Sequence, residues 1–104
     1  MEEATNYKVE ITEEAEHFYV DILTYFYKHH SEQRADRKSA ELLDLAISLE
    51  TDPQRGTIEE TLKPLTKNHK FLLYYYTHRK AIKIIYFIDE PKKVVYLQIF
   101  FLVK

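Results

Sequence analysis

Tyr7-Lys8-Val9-Glu10-Ile11 alternates apolar and charged residues at period two, which places Tyr7, Val9 and Ile11 on one face of a short strand. The period changes at Thr12, a residue suited to cap a helix, and Glu13, Glu14 and Glu16 then crowd the first turn. Carboxylates there meet the positive end of the helix dipole. Ala15, Phe18, Ile22 and Phe26 recur at helical spacing with Tyr19 and Leu23 beside them, which predicts a helix to about Lys28. Ser31 predicts the cap of a second helix, whose inner stripe runs through Ala35, Ser39, Leu42, Ala46 and Leu49, widened by Leu43 and Ile47. Its small residues would let the first helix approach closely. Asp52-Pro53 opposes continuation past about Glu50, and Gly56 marks the turn that follows. Two helices joined by so few residues should form an antiparallel hairpin.

Residues 57 to 70 are polar, contain Pro64 and show no clear period, so they read as loop with a short strand at Ile58 to Leu62. The remainder predicts a meander: Phe71 to Thr77, a turn at His78-Arg79-Lys80, Ala81 to Ile88, a turn at Asp89 to Lys92, and Val94 to Leu102. The expected fold is therefore α+β, a helical hairpin packed on an antiparallel sheet in the order β-α-α-β-β-β, as one domain over residues 1–104. In Tyr74-Tyr75-Tyr76 and in Phe100-Phe101, neighbours must point to opposite faces of a strand, so each run supplies at least one core ring and one surface ring.

Composition narrows the class. A chain of 104 residues supports one core, and 45% hydrophobic residues with nine Tyr and six Phe are ample material for it. One Gly and three Pro leave little for flexible linkers. The absence of Cys excludes disulfides and thiolate metal sites. Adjacent imidazoles at His29-His30 diverge and have no carboxylate pattern to complete a metal site, so a role at the helix C-terminus is expected of them instead. No cofactor is expected. An acidic Met1-Glu2-Glu3 start and the lack of any apolar run near the roughly 20 residues of a membrane span point to a cytoplasmic, non-membrane protein. The net charge of -2 conceals a division, since residues 1–60 hold 15 Asp/Glu against 6 Lys/Arg while residues 61–104 hold 2 against 9. The basic half is a candidate landing surface for an acidic partner or for phosphates, but a total near zero argues against strong nonspecific nucleic-acid binding.

Several segments, in order, resemble the RelE/ParE toxin family over nearly the whole chain: Tyr7 to Ala15 (YKVEITEEA), Ser31 to Leu49 (SEQRADRKSAELLDLAISL), Asp52 to Gly56 (DPQRG), Ile82 to Glu90 (IKIIYFIDE) and Val94 to Ile99 (VVYLQI). That family often shows an acidic helix start after its first strand, an RAD early in its second helix, a P-x-R-G after it, and a Y-R-hydrophobic-hydrophobic-Y strand. The resemblance implies the toxin of a type II toxin-antitoxin (plasmid stabilisation) system, held inactive by a cognate antitoxin. RelE-like members cut messenger RNA on the ribosome with a spread of basic residues, whereas ParE-like members are associated with poisoning DNA gyrase and lack that set.

Against this pattern the family's third-strand Arg falls on Lys83, which keeps a cation but not the bidentate fork that grips phosphate. The basic positions of the preceding strand fall near Tyr74 and Tyr76. Phe101-Leu102-Val103-Lys104 replaces the terminal G-[KR]-R region, with no catalytic tail after it. Lys83, Lys104 and, beside them, His78 or Arg79 remain as catalytic candidates. A phosphoryl oxyanion needs several preorganised donors converging on one point. The resemblance therefore implies a ParE-like gyrase inhibitor, with a degenerate antitoxin-binding module or a ribosome-dependent ribonuclease as alternatives. Phe18, Ile22, Tyr25, Lys80, Lys83, Phe100 and Phe101 are the residues expected to meet the partner. Lys80 and Lys83 should share one exposed patch, because a buried unpaired ammonium is costly.

Overall fold

In the computed structural model, residues 6–66 and 68–103 are described, and the candidate Lys104 lies outside them. Strand β1 (Lys8–Ile11) passes through Thr12 directly into helix α1 (Glu13–His29). The Thr12 hydroxyl accepts the Ala15 N–H at 3.1 Å and donates to the Leu97 carbonyl at 3.1 Å, so one side chain caps the helix and fastens it to the sheet. Thr12→Ala should accordingly cost about 1–2 kcal/mol, the upper part of the capping range, read as a lowered urea midpoint at unchanged slope. Ser31 repeats the device, its Oγ accepting the Arg34 N–H at 3.2 Å, and opens α2 (Glu32–Ile47) only two residues after α1 ends. Tyr27 and Asp36 hydrogen-bond across this helical pair. A 3-10 turn, Ser48–Glu50, ends before Asp52-Pro53, where proline disfavours continuation, and a second, Pro53–Arg55, follows.

The remaining strands are β2 (Thr57–Ile58), β3 (His69–Tyr75), β4 (Ala81–Asp89) and β5 (Val94–Val103), and the sheet order is β1-β5-β4-β3-β2. Two helices thus pack on a five-stranded sheet, as the α+β reading expected. The sheet is mixed rather than antiparallel, because β1 lies parallel to β5, Val9 opposite Val95 and Ile11 opposite Leu97. Period-two alternation suits either direction; the choice is fixed by the Thr12 N–H bond to Leu97 O at 3.1 Å and by the seat of α1 over β5. The strand expected at Ile58 to Leu62 is likewise corrected: pairing stops at Ile58, and Glu60–Leu62 form a 3-10 turn.

The helices cover the face built by Ile82, Ile84, Tyr86 and Ile88 of β4, each with no exposed surface. Ala15, Ile22 and Phe26 of α1 and Ala35, Leu42 and Ala46 of α2 complete the core. Across β5 the register slips opposite Ile85/Tyr86, where Tyr86 pairs with Leu97 but Ile85 with Ile99, leaving Gln98 as an inserted residue. This bulge changes the phase of the strand. Val95 and Leu97 point inward before it, and Phe100 and Leu102 after it. Tyr86 closes the core beneath the connector: its hydroxyl donates to the Pro53 carbonyl at 2.6 Å and accepts the Gly56 N–H at 3.1 Å, and burial pushes its pKa up to about 12.

Candidate functional site

The sheet face turned away from the helices carries the position singled out for chemistry. Its residues follow from the register: Phe71, Leu73 and Tyr75 of β3 lie opposite Ile85, Lys83 and Ala81 of β4, which lie opposite Ile99, Phe101 and Val103 of β5. Among these only Lys83 is charged. Leu73, Tyr75 and Phe101 are exposed at 38%, 61% and 39%, so the face presents large apolar groups to its surroundings.

Lys83 is not free. Its ammonium sits 2.8 Å from Glu59 Oε1, with the two side chains only 21% and 6% exposed. The same ammonium lies 4.2 Å from the centre of the Phe71 ring and 5.8 Å from that of Phe101. The Glu59 Oε2 accepts the Thr61 hydroxyl at 2.6 Å and the Thr61 N–H at 3.3 Å, and its own N–H bonds the His69 carbonyl at 2.8 Å. Lys83, and next Thr61, hold the Glu59 carboxyl below its ordinary value against the opposing effect of burial. The arrangement is a neutral, half-buried ion pair inside an apolar surface. Among the described residues it offers no convergent set of donors to a phosphoryl oxyanion.

The expected patch of Lys80 with Lys83 is therefore corrected. Lys80 stands exposed in the β3–β4 turn beside His78 and Arg79, while Lys83 faces Glu59 in the sheet. A buried ammonium was expected to be avoided; instead it is paired, the other way to meet the same cost. Two further expected contact residues belong to the core: Ile22 is 5% exposed and Phe100 2%, the first turned under α1 and the second turned inward by the bulge. Phe18 (41% exposed), Tyr25, Lys80 and Phe101 remain at the surface, with Phe101 on the outer sheet face and the others on the helical side or its end. They do not make one continuous site.

A second feature lies where α1 ends. Tyr25, Tyr76, Arg79, Lys80, Leu102 and Val103 line a cavity of about 450 Å³. Tyr76 meets Tyr25 and Phe26 at ring-centre distances of 6.1 and 5.4 Å, and burial raises its pKa. Its main-chain carbonyl accepts the Lys38 ammonium at 2.6 Å. Burial, and next the charges of Lys38, His29, Arg34 and Lys80, lower the His30 pKa, which marks this end of the molecule as electropositive. Three of those basic groups come from the acidic half of the chain, so the linear division of charge did not locate the patch.

Glu59 is the residue of this site that the sequence did not reveal, for it sits in a stretch without periodicity and its partner is on a distant strand. Among the described residues no cluster of three or more His, Asp or Glu is placed to hold a metal, and no helix is long and apolar enough to cross a membrane. Comparison of the chain with protein-family models and with curated proteins finds no match.

Proposed function

We propose that this chain is the toxin component of a type II toxin-antitoxin pair, a ParE-like protein that acts by docking on a protein target, DNA gyrase, and is neutralised by a cognate antitoxin. The segments that resemble the RelE/ParE family supply the family reading. The observation that supports docking over nucleolysis is the Lys83–Glu59 pair: the cation at the position that the resemblance makes catalytic is already paired, at 2.8 Å, within an apolar face. Such a face favours a protein partner, since buried interface cores are apolar and poor in free charge.

Induced expression in a bacterial host, with and without the small gene adjacent to this one, tests the proposal. Growth arrest with a DNA damage response, intact transcripts and relief by the neighbour is expected. Cleaved transcripts would move the assignment to a ribonuclease, and unimpaired growth would leave a binding module that poisons nothing.

A further inference from the structure

We propose that the cavity at the end of α1 seats an apolar anchor side chain of a protein partner whose flanking residues are carboxylates. This deepens the protein-docking reading above and rests on it. The floor and walls are apolar: Leu102, Val103 and the Tyr25 and Tyr76 rings, which meet edge to face at 78°. The rim is cationic, formed by Arg79 and Lys80 on the turn.

That turn is held in place. The Thr77 hydroxyl accepts the Arg79 N–H at 3.2 Å and the Lys80 N–H at 3.1 Å, and the Tyr76 N–H bonds the Lys80 carbonyl at 3.1 Å. Both cations therefore project from fixed backbone, which reduces the ordering cost of binding. Among the described residues the ion pairs join Lys8 to Glu10, Lys63 to Glu60 and Lys83 to Glu59, so neither Arg79 nor Lys80 has a carboxylate within 4.0 Å. An apolar pocket whose mouth carries positive charge with no partner among the described residues is complementary to an apolar residue between acidic ones.

A nucleotide fits the same features less well. Tyr76 is 6% exposed, and the Tyr25 ring lies 4.3 Å from His29, so the two rings form a wall and not an open platform for a base. The net charge of -2 also lacks the positive excess typical of nucleic-acid binders.

The test is a displayed random-peptide library panned on the full chain and counter-selected on the R79E/K80E double variant. Both substitutions fall on exposed turn residues, and circular dichroism checks that the variant is folded. Enrichment of peptides with Leu, Ile or Phe flanked by Asp or Glu is expected. In fluorescence anisotropy the enriched peptide should bind the double variant about tenfold or more weakly and should weaken with rising ionic strength. Equal binding to the variant, enriched peptides without carboxylates, or no enrichment would each overturn the proposal, as would uridine monophosphate displacing the peptide. Peptide binding without growth arrest on expression sinks only the toxin reading. Arrest without peptide binding sinks only the pocket.

Discussion

Gly56→Ala should destabilise the protein by about 3 kcal/mol, combining overpacking with the loss of buried hydrogen bonds, and lower Tm by roughly 15 °C for a domain of this size. Gly56 has φ -72°, a conformation open to any residue, so backbone freedom is not the reason for glycine here. Space is the reason. A Cβ would collide with the Tyr86 hydroxyl and lie 2.8 Å from the Phe71 carbonyl oxygen. That hydroxyl ties the Pro53–Gly56 connector to β4, and Tyr86 has no exposed surface into which to retreat. Tyr86→Phe should cost about 2 kcal/mol, since the Pro53 carbonyl and Gly56 N–H lose their partner. The two changes should not add: with the hydroxyl gone the closest collision is relieved, while the approach to the Phe71 carbonyl stays, so the double variant should be more stable than the sum by about 1 kcal/mol. Urea unfolding of the four proteins measures the cycle, and strict additivity would show that Gly56 and Tyr86 do not meet as described.

Lys83→Met should cost about 3 kcal/mol at neutral pH, because it leaves the Glu59 carboxylate buried without its cation. In the wild type the Glu59 carboxyl is held below the ordinary 4.5. Its contribution is therefore full above 4.5 and is lost as pH falls through the lower folded value. In the variant the lowering by Lys83 is gone and only the Thr61 hydrogen bonds oppose burial, so the folded pKa rises toward the ordinary value and the carboxylate loses most of that stabilisation at neutral pH. The stability gap between the two proteins should be widest near neutral pH and should narrow below about pH 4.5. Adding Glu59→Gln to Lys83→Met should restore part of the loss, since a neutral amide is cheaper to bury than an unpaired carboxylate. A ribonuclease that used Lys83 as a free cation would show the opposite pattern: little change in stability, and loss of transcript cleavage in the variant. Denaturation curves at several pH values, read beside transcripts from expressing cells, separate the two.

The two largest effects both sit on residues that local pattern could not rank. Gly56 was legible as a turn, but its contact with Tyr86 joins the connector to a distant strand. Lys83 stood out only through the family resemblance, whereas Glu59 lay in a polar stretch that gave no period to read. The basic end of the molecule was hidden for a similar reason. His29, Arg34, Lys38 and Lys80 meet there only because the helical pair brings the start of α2 beside the β3–β4 turn.

What the sequence determined by itself were the features whose causes are local. Thr12 and Ser31 cap their helices through backbone N–H groups three residues on, and the apolar stripes that follow repeat within a few residues. The alternation in Tyr74-Tyr75-Tyr76 likewise puts neighbouring rings on opposite faces, and the packing then sets Tyr76 inside and Tyr75 outside. Tertiary structure decided what depends on a neighbour. The parallel course of β1 is fixed by Leu97, far along the chain. Simple alternation from Val95 and Leu97 would turn Phe101 inward, yet the inserted Gln98 shifts the phase, so Phe100 is buried at 2% and Phe101 is exposed at 39%. A bulge is set by how two strands pair, and one strand read alone carries only the alternation that the bulge breaks.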